Sequence, residues 1–396
     1  MNIELGKIMR AIQQLLTVLA LVATTSCATQ DRQLPLLDSQ QELSARMLLE
    51  DSPLVTDAEL PDLSQINALE LSPEMTAFLD KWVGSPHAEH SRLQGLLYAV
   101  MGDGTFELIY DDTTRTAQQT FDDQRGNCLS FTNMFVAMSR YLGLDTSFQE
   151  VMVPPDWSVK DQTYVLSRHI NVHVDMDLGP DKVVDFNMYN FRTRYEMNIV
   201  SDQRGRAHYF NNIGVEHMLE GNILLAFANY RESLREDASF GPGWVNLGTL
   251  YSREGYPHHA ETAFLKALDT DKNDLVAMNN LAALYEQQGR SELSAQYQLR
   301  IESHQMQNPY FRYLLAREVF DEGDYTTAID HLKFAIRKNS YDDSFYFLMS
   351  LSYLNSGDKE AAQKWMKKAE EVAEMETDKK RYNNKLDLLM SNEPGS

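Results

Sequence analysis

Basic residues are scarce in this 396-residue chain: 36 Lys and Arg stand against 58 Asp and Glu, a formal net charge of −22. A surface that acidic repels phosphate backbones, so nucleic acid is excluded as a natural partner. Cysteine is scarcer still. Cys27 and Cys128 lie far apart, too few for a disulfide framework and without the spacing of a metal site. The remaining histidines show no metal-type spacing either, and no motif implies a cofactor. What is present is ample apolar material, 43% of residues, enough for the cores of two to three domains of ~150 residues and inconsistent with a wholly disordered chain.

Residues 1–26 read as an export signal. Lys7 and Arg10 precede an apolar core from Leu15 to Ala23, broken only by Thr17, and a Thr-Thr-Ser run leads to Cys27. That core has 9 residues, where a spanning helix needs ~20, so it does not suffice as a permanent membrane anchor. Ser26 directly before Cys27 resembles the bacterial lipoprotein processing site, which implies lipidation of the Cys27 thiol; Thr24 stands where such sites usually carry Leu. The alternative is ordinary cleavage after Ala28, which would release a soluble protein and leave Cys27 without a role. The lipoprotein reading places the protein in a bacterial cell envelope, anchored to the membrane and facing the periplasm. Ala28 after the cysteine resembles outer-membrane sorting in a Gram-negative host.

Residues 27–70 are polar, with scattered Leu and no sustained period, and read as a tether with at most one short helix. Ser72, Pro73 and Glu74 then supply an N-cap, a first-turn proline and an early acid ahead of Met75, Phe78, Leu79 and Trp82 at helical spacing. Globular structure is expected from there.

The C-terminal half repeats. Gly221, Gly255, Gly289, Gly323 and Gly357 are spaced 34 residues apart, which predicts helix pairs, each glycine ending the first helix in the left-handed conformation. Gly214, Gly248, Ala282, Ala316 and Ser350 hold one small-residue position, and Ala226, Ala260, Ser294, Ala328 and Ala362 hold another. Helices must approach closely at both. Trp244, Leu247, Gly248, Tyr251, Gly255, Ala260, Phe264 and Ala267 resemble the tetratricopeptide repeat position by position. Residues 207–375 are therefore expected to be an all-α solenoid of five helix pairs that docks a protein partner in its concave face, with 376–396 as a C-terminal tail that frays from Asn392 to Ser396. The aromatics Tyr230, Trp244, Tyr251, Phe264 and Tyr285 are expected to pack between helices.

Residues 71–204 have no such period: helical segments come first and alternating strands follow, an α+β domain with its sheet part reaching Met197. Within it Arg125-Gly126-Asn127-Cys128 precedes Phe131, Phe135, Met138 and Leu142 at helical spacing, with a stop at Gly143. Cys128 is thus expected at a helix N-terminus, where free N–H groups and the helix dipole stabilise a thiolate, and Asn127 is a natural cap. Downstream, Ile170, Val172, Val174 and Met176 alternate with His169, Asn171 and His173, which predicts a strand with its imidazoles facing away from the core. Asp177 to Asp181 is turn chemistry, and Lys182 to Asn187 forms the return strand, bringing Asp185 near the histidines. A cysteine nucleophile needs a base, and the base needs an orienting carboxylate; either His169 or His173 is placed to serve.

Gly126-Asn127-Cys128-Leu129-Ser130-Phe131, the following Arg140-Tyr141-Leu142-Gly143-Leu144, the His-led strand and Val184-Asp185 together resemble the transglutaminase-like domain of the papain-like superfamily, over roughly residues 93–200. The resemblance implies Cys128 as nucleophile, His169 as general base and acid, and Asp185 as orienting carboxylate, with the Cys128 N–H and the Gln124 side chain as oxyanion donors. This chain has Asn171 and Phe186 where many members carry an aromatic and a proline. It has no acidic loop of calcium-binding spacing, so calcium activation is not implied. The function expected is amide chemistry on a protein or peptide substrate through a Cys128 thioester: proteolysis, deamidation or acyl transfer. Two alternatives stand beside it: a non-enzymatic envelope assembly or scaffold lipoprotein with a degenerate module, and a peptidoglycan-peptide amidase suggested by location alone. The bland alternative for Cys128 is an inert buried thiol.

Overall fold

The computed structural model describes residues 43–55, 60–85, 87–102, 106–152, 159–160, 163–164, 169–186 and 195–391. The signal at 1–26 and the lipidation candidate Cys27 lie outside the described residues. The described residues, from Leu43 to Ser391, belong to one compact unit. No helix among the described residues is long and apolar enough to cross a membrane.

The polar segment read as a tether is packed from Leu43 onward, a correction to the 27–70 boundary. Ser44 caps a short helix, α1 (Ala45–Leu49), whose Leu48 is fully buried among solenoid residues. The Tyr251 hydroxyl donates to the Leu48 carbonyl at 2.6 Å and lies 2.9 Å from the Ser52 hydroxyl, while Arg235 grips Glu50 at 2.7 Å and 2.9 Å. Farther on, Leu63, Ile66, Leu69 and Leu71 pack on the core of the α+β region. The scattered leucines show no period because they anchor the chain one at a time, to different parts of the molecule.

The α+β region follows. Ser72 caps α2 (Pro73–Trp82), accepting from the Met75 N–H, and α3 (Glu89–Met101) leads to the two-residue strand β1 (Ile109–Tyr110). A Thr116/Gln119 capping box starts α4 (Ala117–Asp123); β2 (Arg125–Gly126) then pairs in parallel with β1. The next helix, α5 (Cys128–Tyr141), is buried all round from Leu129 to Ser139, as expected of a helix central to its layer. The main sheet has the order β7-β6-β3-β8, from β3 (Asp145–Met152), β6 (His169–Asp175), β7 (Lys182–Val184) and β8 (Glu196–Val200). All its pairs are antiparallel, with Phe148 opposite both Val172 and Val200 and with Val172 opposite Val184. Between β3 and β6 lie β4 (Val159–Lys160) and β5 (Thr163–Tyr164), an antiparallel pair of their own.

The solenoid begins earlier than residue 207. Ser201 caps α6 (Asp202–Leu219), and this helix belongs to both parts of the molecule: Tyr209 and Phe210 sit in the sheet core, and at Gly205 an added Cβ would come within 2.7 Å of the Phe148 ring. The boundary drawn at 204 is invisible in composition because α6 carries the helical pattern of a repeat while closing the neighbouring core. Arg140 of α5 reinforces the junction with a bidentate pair to Asp202 at 2.7 Å and 2.8 Å.

Five antiparallel helix pairs result among the described residues. Helix α6 pairs with α7 (Ile223–Glu236), and α8 (Gly241–Arg253) with α9 (Pro257–Thr270). The third and fourth pairs are α10 (Leu275–Gln287) with α11 (Ser291–Gln307) and α12 (Pro309–Asp321) with α13 (Tyr325–Lys338). The last is α14 (Asp343–Asn355) with α15 (Lys359–Val372). All five periodic glycines have φ between 71° and 91°, and all ten small-residue positions are buried. Tyr230, Trp244, Tyr251, Phe264 and Tyr285 are buried too. The apolar interior breaks twice along the stack: one cluster runs from α1 to Ile301, a second from Ala316 to Met349, and a third joins Tyr346, Met366, Ala369, Ala373 and Tyr382. The C-terminal tail carries a helix, α16 (Glu376–Ser391), whose buried Tyr382 donates to Asp343 at 2.7 Å and stacks on Phe347; the residues expected to fray, 392–396, lie outside the described residues. Helix α16 covers the apolar face that the last pair would otherwise expose, the function of a terminal cap in a stacked array.

Candidate active site

The nucleophile candidate opens α5. Asn127 takes the extended conformation and its side chain accepts the Ser130 N–H at 3.0 Å; its Nδ2 donates to Thr114 Oγ1 at 2.8 Å. The cap leaves the Cys128 and Leu129 N–H groups at the open, positive end of the helix. Gly126 is required for a steric reason, since a Cβ there would lie 2.4 Å from Ser130 Cβ. Ser130 in turn ties the preceding loop to the helix, accepting the Arg115 N–H at 2.8 Å and donating to the Thr113 carbonyl at 3.2 Å. Cys128 is partly exposed, with no disulfide partner.

The structure brings His169 and Asp185 together: His169 Nε2–H donates to Asp185 Oδ2 at 2.6 Å, with side chains only 7% and 5% exposed. The same oxygen accepts from Asn171 Nδ2 at 2.8 Å. Burial alone would lower the imidazole pKa; hydrogen bonds to Asp185 and then to the Cys128 thiol, with the charges behind them, instead raise it to about 9. With Nε2 committed to Asp185, Nδ1 is the ring nitrogen left for sulfur. Thiol, imidazole and carboxylate therefore form one connected relay.

Three expectations are corrected. The imidazole face of β6 is not open: His169 and Asn171 are as buried as Ile170 and Val172, because Asp185 satisfies both and so permits a polar face to be covered. The return strand, expected to reach Asn187, ends at Val184, one residue before Asp185; of the two candidate bases, His169 meets Asp185 while His173 lies 3.5 Å from Asp181. Asn187 is outside the described residues. Gln124, expected as an oxyanion donor, has an exposed side chain and occupies a left-handed turn at φ 53°, where its carbonyl accepts the Ile109 N–H at 2.9 Å.

Two residues were not anticipated. Asn171, which the alternation puts on the polar face of the strand without a role, is the second donor to Asp185. Tyr110 sits opposite Gly126 in the β1–β2 ladder, with the Asp111 N–H donating to the Gly126 carbonyl at 3.0 Å. Its phenol is raised to about 12 by burial, by the Cys128 charge, by Asp112, and by a hydrogen bond to the Cys128 side chain. No local pattern marks a two-residue strand whose partner is remote in the chain. No group of three or more His, Cys, Asp or Glu among the described residues is placed to hold a metal ion.

The solenoid also reaches this site. Glu216 of α6 accepts the Thr114 N–H at 2.7 Å, and Thr114 is the residue whose hydroxyl holds the Asn127 cap.

Comparison with known proteins addresses the helical half. A tetratricopeptide-repeat family model matches residues 242–274 and 343–374, the second and fifth helix pairs. The proteins named Photosystem I assembly protein Ycf3 from two strains of Prochlorococcus marinus, MIT 9303 and MIT 9313, are 27% identical over 99 residues, 24% of this chain and 57% of theirs. The chain thus spans little more than half the length of these curated relatives. Among solved structures, Pseudomonas aeruginosa PilF is 16% identical over 48% of this chain and 87% of its own, with a TM-score of 0.27. A MamA crystal structure is 20% identical over 42% and 91%, with a TM-score of 0.24. The C-terminal part of the chain is a tetratricopeptide-repeat solenoid, an architecture that docks other proteins.

Proposed function

We propose that the protein is a cysteine-dependent amide hydrolase or acyltransferase of the transglutaminase-like kind, exported and lipid-anchored at Cys27, whose solenoid recruits a protein partner or substrate. The observation that carries the reading is the buried His169–Asp185 pair, joined through Nε2 at 2.6 Å, with the Cys128 side chain as the other partner of the imidazole. That arrangement is what a thioester mechanism requires: Asp185 fixes the tautomer and favours the imidazolium, and the imidazolium favours the thiolate. Water as acceptor gives hydrolysis; an amine gives transamidation.

The test is the rate of Cys128 alkylation by iodoacetamide against pH, in protein beginning at Ala28 and in its His169→Ala variant. The wild type reacts rapidly well below the ~8.5 at which free cysteine titrates, and the variant does not. Slow reaction, with ordinary thiol behaviour in both proteins, would overturn the enzymatic reading. A second reading then takes its place, favoured by the likeness to proteins named for photosystem assembly: a non-enzymatic assembly factor in which the α+β region is a binding module.

A further inference from the structure

Forming a thioester from an amide passes through a tetrahedral intermediate, and the negative oxygen it creates must be met by fixed donors. Helix α5 offers one, the Cys128 N–H at its open end. The side chain expected as the second, Gln124, is exposed, and its backbone is engaged in holding β1. The side chain that interacts with Cys128 is that of Tyr110. Two backbone hydrogen bonds, Ile109 N–H to the Gln124 carbonyl at 2.9 Å and Asp111 N–H to the Gly126 carbonyl at 3.0 Å, clamp Tyr110 from both sides. They set it level with Gly126, two residues before the nucleophile.

We propose that the Tyr110 hydroxyl is the side-chain oxyanion donor of this site, a role that rests on Cys128 being the nucleophile. The strand register places Tyr110 beside Gly126, two residues before the nucleophile, and its phenol interacts with the Cys128 side chain. The phenol keeps its proton up to about 12, so it remains a donor over the whole working range of pH. The step balances as follows. Cys128 Sγ attacks the amide carbon, an S–C bond forms, and the carbonyl π pair moves onto oxygen, where Tyr110 O–H and Cys128 N–H receive it. Collapse breaks the C–N bond, and the departing amine takes the proton of the His169 imidazolium. Water or an amine then attacks the thioester, gives its proton to His169, and releases the thiolate.

Two probes separate this role from mere contact. Acylation by p-nitrophenyl acetate, read as a burst of p-nitrophenolate, passes through an oxyanion; alkylation by iodoacetamide does not. Tyr110 is 58% exposed, so Tyr110→Phe removes one oxygen from a rim position with little risk to folding. The expected result is acylation slowed about 100-fold with alkylation changed by no more than about threefold, and with Gln124→Ala unchanged in both. Equal acylation by wild type and Tyr110→Phe would overturn the proposal while leaving the Cys–His pair intact, as would a loss confined to Gln124→Ala. A wild type that neither acylates nor alkylates faster than His169→Ala would overturn the nucleophile reading, and the proposal with it.

Discussion

Asp185 Oδ2 accepts two hydrogen bonds in a place nearly closed to water, and the charge it holds there decides the state of His169. Because the folded imidazole titrates at about 9 against an ordinary 6.5, the native state binds the proton more tightly than the unfolded chain does. Its contribution to stability is complete below about pH 6.5 and lost as pH rises through about 9. The groups facing the ring are Asp185, Cys128 and the Asn171 amide, and replacing the first removes the principal cause. Urea midpoints of wild type and Asp185→Asn are therefore expected to differ most at about pH 6 and to converge towards about pH 10. A gap of constant size across that range would contradict the shift.

At the scale of elements, the glycines of the repeat divide into two kinds that spacing alone does not distinguish. Gly255 has φ 80° and open space around it, whereas at Gly248 a Cβ would meet the Phe264 ring at 2.7 Å. The first needs a conformation and the second needs room. Alanine at either position is expected to cost about 1–3 kcal/mol, but asparagine separates them. Gly255→Asn should cost less than Gly255→Ala, since asparagine visits the left-handed region. Gly248→Asn should cost more than Gly248→Ala, since it adds volume where none exists. Thermal unfolding of the four variants checks this, and the same order at both positions would refute it. The element pattern also shows why the repeats were legible beforehand: each helix pair meets mainly its neighbours, so 34-residue self-similarity carries the contact map with it. The β1–β2 pairing of Tyr110 with Gly126 has no such local trace.

Across the whole molecule, residues 43–55 and 60–71 lace the two parts together, with Leu48 in the solenoid core and Leu63, Ile66 and Leu69 against the sheet core. Leu48→Ala is accordingly expected to destabilise the protein by about 2–5 kcal/mol, as for any fully buried leucine, whereas in a free tether it would change nothing measurable. Equilibrium unfolding of the variant decides between these outcomes. Helix α6 adds a second connection, since Glu216 accepts the Thr114 N–H, and the Thr114 hydroxyl accepts from Asn127, the cap of α5.

Sequence by itself determined the stacked helix pairs, the small positions between them, the Asn127 cap beside Cys128 and the β6–β7 hairpin. Each of these is a short-range consequence of residue type, and period and capping record such things directly. Tertiary structure alone decided that a polar strand face is buried, that the Gln124 side chain is exposed, and that Tyr110 stands beside Gly126 in a two-stranded ladder. It also decided that a polar leader is a strap and a charged tail a cap. Those outcomes depend on which distant surfaces meet. Burial and hydrogen-bond satisfaction are settled between partners, and no single segment carries its partner in its own pattern.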